Sequence, residues 1–166
     1  MAIYVIPYRP GGKTRLGDSD LADAMMCDVA EACNAAGADD VLIVRAGGGQ
    51  GEAIARALAS VRGPVTIVNA DVPAVTAEAL LELTAAAPAL VAAPDGTTNA
   101  LSLRDASDFE PLFGPGSAGR YQETLGARRL ELEGLVHDVD TWDDLDRVHD
   151  RVGAHTRRRL GLPAGV

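Results

Sequence analysis

The length, composition and charge of this chain exclude several broad classes of protein. Its 166 residues, 47% of them hydrophobic, suit one domain with a sizeable core, and a net charge of -9 argues against a general nucleic-acid-binding surface. No stretch approaches the roughly 20 apolar residues of a membrane span, and the apolar run at 3–6 is too short for a signal peptide, so we expect a cytoplasmic protein without membrane or nucleic-acid partners.

The first half of the chain predicts three buried strands separated by helices. The strands are continuous apolar runs at 3–6, 41–44 and 65–68, and Pro7 is expected to stop the first of them. Between the first two strands, apolar side chains recur at every fourth position, as on one face of a helix. These side chains are Leu21, Met25, Val29 and Cys33. A glycine-rich loop and a helix over 52–60 precede the third strand.

The second half continues the alternation of helices and strands. A helix over 77–86, capped by Thr76, is followed by strands at 90–93 and 100–103, a helix over 117–125 and a last strand at 135–139. Thr141 and Asp144 form a capping box for one more helix. Continuous apolar strands between helices predict a three-layer α/β domain over 1–153 with a mostly parallel sheet, followed by a frayed C-terminal tail over 154–166.

The loop after the first strand is rich in cations and glycine. Arg9, Gly12, Lys13 and Arg15 suit a polyphosphate, because glycine lets backbone N–H groups approach closely while the cations neutralise charge. A P-loop would need glycine at Pro7, so that motif is excluded. The glycines at 47–51 fail as a dinucleotide fingerprint for a similar reason, since its third glycine would fall at position 52. A solvated basic loop remains the alternative.

Carboxylates follow two of the predicted strands. Asp71 comes directly after the strand at 65–68, where ligands bind at the carboxyl edge of a parallel sheet. Asp138 and Asp140 would share one face of the last strand, where a cation would offset their repulsion. Mg²⁺ takes one or two carboxylates together with phosphate oxygens. The alternative is that these residues only cap turns and helices.

A glycine-rich turn over 113–117 precedes a helix. The backbone N–H groups of such a helix start, with the Ser117 hydroxyl, make an anion site. Thr98, on a neighbouring loop, could add a further donor. An ordinary turn with Ser117 as the N-cap is the alternative.

Taken in order, short pieces spread over nearly the whole chain resemble the 2-phospho-L-lactate/phosphoenolpyruvate guanylyltransferase family of coenzyme F-420 biosynthesis. The pieces are Ile6-Pro7 with Lys13-Thr14-Arg15-Leu16, Ala24-Met25-Met26-Cys27-Asp28-Val29, Ala70-Asp71-Val72-Pro73, Thr98-Asn99-Ala100-Leu101, Phe113-Gly114-Pro115-Gly116-Ser117, and Asp138-Val139-Asp140-Thr141 with Asp144-Leu145. The resemblance implies a nucleotide-diphospho-sugar (glycosyltransferase-A-like) nucleotidyltransferase fold. It also implies Mg²⁺, GTP and a small phosphorylated acid, with phosphoenolpyruvate favoured over 2-phospho-L-lactate.

The resemblance also implies roles for individual residues. Asp71 and Asp140 would hold the metal, with Asp138 as the alternative to Asp140. Lys13 and Arg15 would hold the triphosphate and act with Asp71 in catalysis. The remaining GTP contacts would come from Pro7, Arg9, Gly12 and Gly51, and the acceptor contacts from Thr98, Gly114, Gly116 and Ser117. The sequence does not determine the oligomeric state, and a homodimer is one of the possible states.

The chain departs from the family at two loops. Arg9 stands where the family commonly has lysine, and Gly49-Gln50-Gly51 stands where it usually has Gly-Leu-Asn. Two alternatives therefore remain. One is another nucleotidyltransferase, of the molybdenum-cofactor type, although that class usually opens with Leu-Ala-Gly-Gly where this chain has Ile6-Pro7-Tyr8-Arg9. The other is a catalytically silent nucleotide-binding module.

Overall fold

A computed structural model describes residues 1–9 and 15–164 of the chain. Seven α-helices and six strands are present in this part of the sequence. The strands are β1 (Ile3–Tyr8), β2 (Asp40–Arg45), β3 (Val65–Val68), β4 (Ala89–Ala92), β5 (Thr98–Leu103) and β6 (Arg128–Arg129). The helices are α1 (Ser19–Ala35), α2 (Gln50–Leu58), α3 (Ala77–Ala85), α4 (Ser117–Leu125), α5 (Glu133–Val136), α6 (Trp142–Val148) and α7 (Ala154–Leu160).

The six strands form one sheet in the order β2-β1-β3-β5-β4-β6. Only β5 runs against its neighbours β3 and β4, and the other pairings are parallel. The predicted mostly parallel sheet is therefore confirmed. This order brings the carboxyl ends of β1, β2 and β3 to the same edge of the sheet as the start of β5.

Helices cover both faces of the sheet, as a three-layer fold requires. Alternate residues of β1 show the two layers, because Tyr4 and Ile6 pack with apolar residues of α1, α3 and α5. Ile3 and Val5 pack on the opposite face with residues of α2 and α4. All of these β1 side chains are buried, which explains why the strand reads as a continuous apolar run. No helix within residues 1–9 and 15–164 is long and apolar enough to cross a membrane.

Helix α1 follows the predicted four-residue period closely. Its buried residues include Leu21, Met25, Val29 and Cys33, and the Asp18 side chain caps its first turn by accepting from the Leu21 N–H at 3.0 Å. The capping box of Thr141 and Asp144 is also confirmed at the start of α6. Local patterns therefore identified these helix starts correctly.

Pro7 does not stop the first strand, which continues to Tyr8. The Ala46 N–H donates to the Tyr8 carbonyl at 3.0 Å, so the even-numbered residues of β1 direct their backbone groups towards β2. Pro7 therefore faces β3, and the pairing of β1 with β3 ends at Val5. A proline is tolerated there because the strand needs no N–H donor at that position.

The last strand predicted at 135–139 is also wrong. Its first residues form α5, and the Asn99 side-chain amide donates to the carbonyls of Leu135 and Val136 at 2.9 and 3.1 Å. Short apolar runs do not distinguish a buried helical turn from a strand. Leu135 and Val139 are nevertheless fully buried, so the run was correctly identified as core.

The tail predicted from residue 154 is wrong for its first part, because 154–160 form helix α7. Helix α7 packs against α1, and Thr156 is fully buried between them. Asp28 of α1 accepts from the backbone N–H groups of His155 and Thr156 at 2.9 and 3.0 Å. A carboxylate from a distant part of the chain therefore caps the C-terminal helix.

Candidate active site

A cleft of about 300 Å³ opens at the carboxyl ends of β1, β2 and β3. Backbone and side chains from all three strand ends line it, together with the inner face of α1. The lining residues are Pro7, Tyr8, Arg9, Ala22, Met25, Ala46, Gln50, Asn69, Ala70 and Asp71. The ligand position expected from the sheet topology is thus an actual cavity.

Three carboxylates meet where Asp71 lines this cleft. Asp71, Asp138 and Asp140 each offer an oxygen that lies within 4.8 Å of the others. The Val139 N–H donates to the Asp71 carbonyl at 2.8 Å, which brings the segment after α5 alongside the end of β3. Val139 itself is fully buried, so its two neighbours point away from the core and towards Asp71. The shared face predicted for Asp138 and Asp140 is therefore present without a strand.

The capping box of α6 holds this segment in place. One carboxylate oxygen of Asp144 accepts from the N–H groups of Asp140 and Thr141, both at 2.9 Å. The Asp144 N–H in turn donates to the Thr141 hydroxyl at 3.2 Å. These bonds fix the backbone that carries Asp140, so helix capping contributes to the geometry of the carboxylate cluster.

Burial and neighbouring negative charge together perturb one member of the cluster. Burial, the neighbouring Asp71 charge and a hydrogen bond with Asp140 all raise the pKa of Asp138 well above its usual range. A cation bound among the three oxygens would reverse this effect, because it would favour the ionised carboxylates. Hard carboxylate oxygens at this separation fit Mg²⁺.

We expect Asp138→Asn to stabilise the metal-free protein at neutral pH by about 1 kcal/mol, or roughly 2–4 °C in melting temperature, because it removes one buried repelling charge. A raised folded-state pKa costs stability as the pH rises above the ordinary Asp value. The gain should therefore vanish below about pH 4. Thermal melts at several pH values check this. Equal melting temperatures of Asp138→Asn and the unaltered protein at pH 7.5 would contradict a destabilising charge at Asp138.

A chain of side-chain amides forms the other wall of the cleft. The Asn69 Nδ2 donates to the Thr98 carbonyl at 3.0 Å, and the Gln50 Nε2 donates to the Asn69 Oδ1 at 2.8 Å. The Thr98 carbonyl can only accept, so it sets the orientation of Asn69 and, through it, that of Gln50. The Gln50 Oε1 is consequently the end of the chain left to accept from a ligand.

The sequence-predicted phosphate residues are distributed unevenly around the cleft. Pro7 and Arg9 line it, and the Arg9 Nε donates to the Ala46 carbonyl at 3.3 Å. Arg15 is exposed in a turn before α1. Gly12 and Lys13 lie outside the described residues.

Gly51 lies beside the cleft rather than in its wall. It is buried in α2, where an added Cβ would come within 2.9 Å of the Pro111 Cβ. Glycine is therefore required there for close packing of α2 against the segment that contains Pro111. Its neighbour Gln50 lines the cleft instead.

The predicted acceptor residues form a second group next to Asn69. The hydroxyls of Thr98 and Ser117 share a hydrogen bond of 2.8 Å, and both side chains are buried. Gly114 and Gly116 have φ values of 124° and 72°, a region that side chains rarely adopt, and they shape the turn into α4. This group of residues is connected to the cleft by the Thr98 carbonyl, which accepts a hydrogen bond from the Asn69 side chain.

Gln50 and Asn69 are the site residues that sequence reasoning did not assign. Both stand in segments that the sequence marks as loops at strand ends, but an amide carries no motif of its own. Only the hydrogen bond between their side chains, which lie 19 positions apart in the sequence, shows that the two residues are part of one site.

Three curated proteins are similar in sequence, all of them phosphoenolpyruvate guanylyltransferases. The protein from Sphaerobacter thermophilus is 41% identical over 53% of this chain and 48% of its own length. The protein from Nocardia farcinica is 41% identical over 65% and 53%, and that from Streptomyces scabiei is 36% identical over 72% and 57%. The chain spans about half the length of the curated relatives it matches. No protein-family model matches it.

Solved structures show the same fold at low sequence identity. A candidate nucleotide-diphospho-sugar transferase from Desulfovibrio desulfuricans G20 has a TM-score of 0.68 at 20% identity, over 95% of this chain and 90% of that one. A nucleotidyl transferase from Methanothermobacter thermautotrophicus has a TM-score of 0.64 at 13% identity, over 96% and 99%. The resemblance read from the motifs is thus confirmed: the chain is similar in sequence to phosphoenolpyruvate guanylyltransferases over part of their length, and its fold is one that solved nucleotidyltransferases share.

Proposed function

We propose that this chain is a guanylyltransferase that transfers GMP from GTP to phosphoenolpyruvate, in coenzyme F-420 biosynthesis. The observation that carries the proposal is the cluster of Asp71, Asp138 and Asp140 at the cleft, in a chain similar to phosphoenolpyruvate guanylyltransferases. A phosphorylated acid and a nucleoside triphosphate are both anionic. A site that joins them needs cations, and the cleft is lined by Asp71, which could hold a metal ion, and by the Arg9 side chain.

The metal is proposed to be Mg²⁺, held by Asp71 and Asp140, with Asp138 completing the donor set. When bound, Mg²⁺ would neutralise phosphate charge and polarise the phosphoryl oxygen. The three carboxylates would fix the position of the ion. They would thereby orient the triphosphate, whose oxygens bind the same ion. The proximity of the three carboxylate oxygens supports the assignment, because a cation would offset their mutual repulsion.

The triphosphate is proposed to lie along the first loop. Arg9 lines the cleft and carries a guanidinium suited to phosphate oxygens. Lys13 and Arg15 would add charge from the same loop, and Gly12 would allow close approach of the backbone. Catalysis would then consist of positioning and charge neutralisation rather than proton transfer.

The reaction joins two phosphates without a general base. An oxygen of the acceptor phosphate attacks the α-phosphorus of GTP, and the bond to the bridging oxygen of the β-phosphate breaks. Pyrophosphate leaves with that electron pair, and a diphosphate links guanosine to enolpyruvate. The second pKa of a phosphate is about 6, so the attacking oxygen is already ionised near neutral pH.

The acceptor is proposed to bind beside the Thr98–Ser117 hydroxyl pair and the glycines at the start of α4. Hydroxyl groups can donate hydrogen bonds to a carboxylate or phosphate. Asn69 contacts both this group and the nucleotide cleft, so the two substrates would meet near Asp71. Phosphoenolpyruvate is favoured over 2-phospho-L-lactate because the relatives carry the former in their names.

Gln50 is proposed to select guanine. Its Oε1 can accept from the N1–H and 2-amino group of guanine, whereas adenine presents an acceptor at N1 and would leave the amide unsatisfied. We expect Gln50→Leu to lower kcat/KM for GTP about tenfold to a hundredfold, the worth of one or two hydrogen bonds, and to narrow the preference for GTP over ATP. Steady-state kinetics with both nucleotides measure this.

The matched control for Gln50 is Glu52→Gln, an exposed position two residues further on in the first turn of α2. This variant should leave kcat/KM unchanged for both GTP and ATP. If the ratio of kcat/KM for GTP to kcat/KM for ATP is unaltered in Gln50→Leu, Gln50 is excluded as the residue that recognises the base.

The proposed function is tested by following pyrophosphate release from GTP and Mg²⁺ with each acid supplied separately. Release that needs phosphoenolpyruvate supports the proposal. Release only with 2-phospho-L-lactate would change the acceptor and keep the reaction class. Nucleotide binding with no release, for any phosphorylated three-carbon acid, would instead indicate a silent nucleotide-binding module.

A further inference from the structure

The Tyr8 side chain, at the end of β1, carries a buried hydroxyl that is not paired. Tyr8 is 9% exposed, and its hydroxyl oxygen is buried. Within residues 1–9 and 15–164, no group forms a hydrogen bond with this oxygen. A buried hydroxyl without a partner destabilises the fold, and native proteins pair nearly all such groups. The Tyr8 hydroxyl therefore calls for an explanation.

The Tyr8 side chain lies on the side of the sheet where the cleft opens. Side chains alternate along a strand, so Tyr8 shares a face with Tyr4 and Ile6, which pack with residues of α1. Ala22 and Met25 of α1 line the cleft together with Tyr8. A molecule bound in the cleft would lie against Tyr8, so it is the available source of a partner for the hydroxyl.

The sheet holds Tyr8 in a fixed position. Its carbonyl accepts from the Ala46 N–H at 3.0 Å, and it lies beside Arg45 in the pairing of β1 with β2. A side chain anchored on a strand loses little freedom when a ligand binds. A hydrogen bond from Tyr8 to a ligand would therefore be preorganised.

The order of the strands indicates which part of a nucleotide Tyr8 would meet. Strand β1 lies between β2 and β3 in the sheet. Gln50, which is proposed to select the base, follows β2, and Asp71, which is proposed to hold the metal near the phosphates, follows β3. In GTP the ribose likewise lies between the base and the triphosphate. Tyr8, at the end of β1, is therefore placed to meet the ribose.

The chemistry of the hydroxyl agrees with this placement. A phenol hydroxyl can donate one hydrogen bond and accept another, and a ribose hydroxyl can do the same. Ionised phosphate oxygens only accept, and the guanidinium of Arg9 in the same cleft is better suited to their charge. The apolar side chains of Ala22 and Met25 suit the C–H groups of a sugar ring.

We infer that the Tyr8 hydroxyl binds a ribose hydroxyl of the nucleotide, so that the site prefers ribonucleotides over deoxynucleotides. The inference rests on the proposed binding of GTP and names the contact that holds its sugar. The ligand-free protein keeps an unpaired hydroxyl at the expense of stability, and the bound nucleotide relieves that strain.

Calorimetric titration with GTP, 2′-deoxyGTP and 3′-deoxyGTP tests this contact, in the presence of Mg²⁺ and without an acceptor. Tyr8→Phe should raise the dissociation constant of GTP about threefold to tenfold, the loss expected for one hydrogen bond. One of the two deoxynucleotides should bind the unaltered protein more weakly by a similar factor. Tyr8→Phe should not weaken the binding of that deoxynucleotide further, because the hydroxyl it would pair with is already missing.

Two results of the titration would overturn the inference. The first is a dissociation constant for GTP that Tyr8→Phe leaves unchanged. The second is an equal loss for GTP and both deoxynucleotides, which would show that Tyr8 acts on the site as a whole and not on the sugar.

Tyr4→Phe is the matched control. Tyr4 lies at the other end of the same strand on the same face, and its hydroxyl hydrogen-bonds with the Thr84 side chain. This variant should leave all three dissociation constants unchanged.

Thermal melts without nucleotide give a second measurement. Tyr8→Phe should raise the melting temperature by about 2–4 °C, because it removes a buried unpaired hydroxyl, whereas Tyr4→Phe should not raise it. A lower melting temperature for Tyr8→Phe would show that the hydroxyl is paired in the ligand-free protein, and would overturn the inference.

Measuring binding without an acceptor separates this inference from the proposed reaction. If Tyr8→Phe and one deoxynucleotide act on the same hydrogen bond, but phosphoenolpyruvate yields no pyrophosphate, the ribose contact stands and the proposed transfer fails. If pyrophosphate is released while Tyr8→Phe weakens all three nucleotides equally, the transfer stands and the ribose contact is refuted.

Discussion

Replacing Asp71 with Asn is expected to lower the rate of nucleotidyl transfer about a thousandfold, or roughly 4 kcal/mol of transition-state stabilisation. Asp71 lines the cleft and lies within 4.8 Å of the oxygens of Asp138 and Asp140. Asparagine has nearly the same shape but carries no charge. The variant should therefore fold normally and lose most of its attraction for a divalent cation.

Two measurements separate a metal role for Asp71 from a structural one. Pyrophosphate release should fall in the variant, and a larger Mg²⁺ concentration should be needed for half-maximal rate. Asp143→Asn is the matched control, because Asp143 is exposed in the first turn of α6, close in sequence to the cluster. It should behave as the unaltered protein. Near-normal turnover in Asp71→Asn would exclude the metal assignment.

Replacing Asp28 with Ala is expected to destabilise the fold by about 2–4 kcal/mol, because it leaves buried donors unsatisfied and removes a helix cap. The Asp28 side chain is 5% exposed, and its two oxygens accept from the N–H groups of His155 and Thr156. Gly153 packs against the same carboxylate, since an added Cβ would lie 2.4 Å from the Asp28 Oδ1. A side chain at Gly153 would therefore displace this carboxylate.

Urea denaturation measures this loss, with Glu31→Gln as the control. Glu31 lies on the same helix and pairs with the His155 Nε2 at 2.9 Å, but its side chain is 64% exposed. An exposed ion pair contributes little, so this variant should lose less than about 1 kcal/mol. Equal losses in the two variants would show that the buried carboxylate does not hold α7.

The parts of the fold that follow from local pattern could be read from the sequence. Leu21 and Val29 repeat at the helical period, and Thr141 with Asp144 marks a helix start, because the interactions involved span only a few residues. The carboxylate site was also predictable, since Asp71 follows a buried strand directly. Ligands bind at that edge of a parallel sheet.

The remaining features depend on contacts between distant residues. Helix α7 was predicted to be a tail because its cap, Asp28, lies 127 residues before His155. The amide chain from Thr98 to Gln50 joins the start of β5, the end of β3 and the start of α2, and it has no sequence signature. Pro7 was misread because its tolerance depends on where β3 stops pairing with β1, which is a property of the sheet rather than of the strand.

The most direct test of the proposed reaction is to identify its product. After incubation of the protein with GTP, phosphoenolpyruvate and Mg²⁺, mass spectrometry and ³¹P NMR should reveal guanosine joined to enolpyruvate through a diphosphate, with one pyrophosphate per product. ATP in place of GTP should give little product. Hydrolysis of GTP without a linked product, or equal use of both nucleotides, would contradict guanylyl transfer to phosphoenolpyruvate.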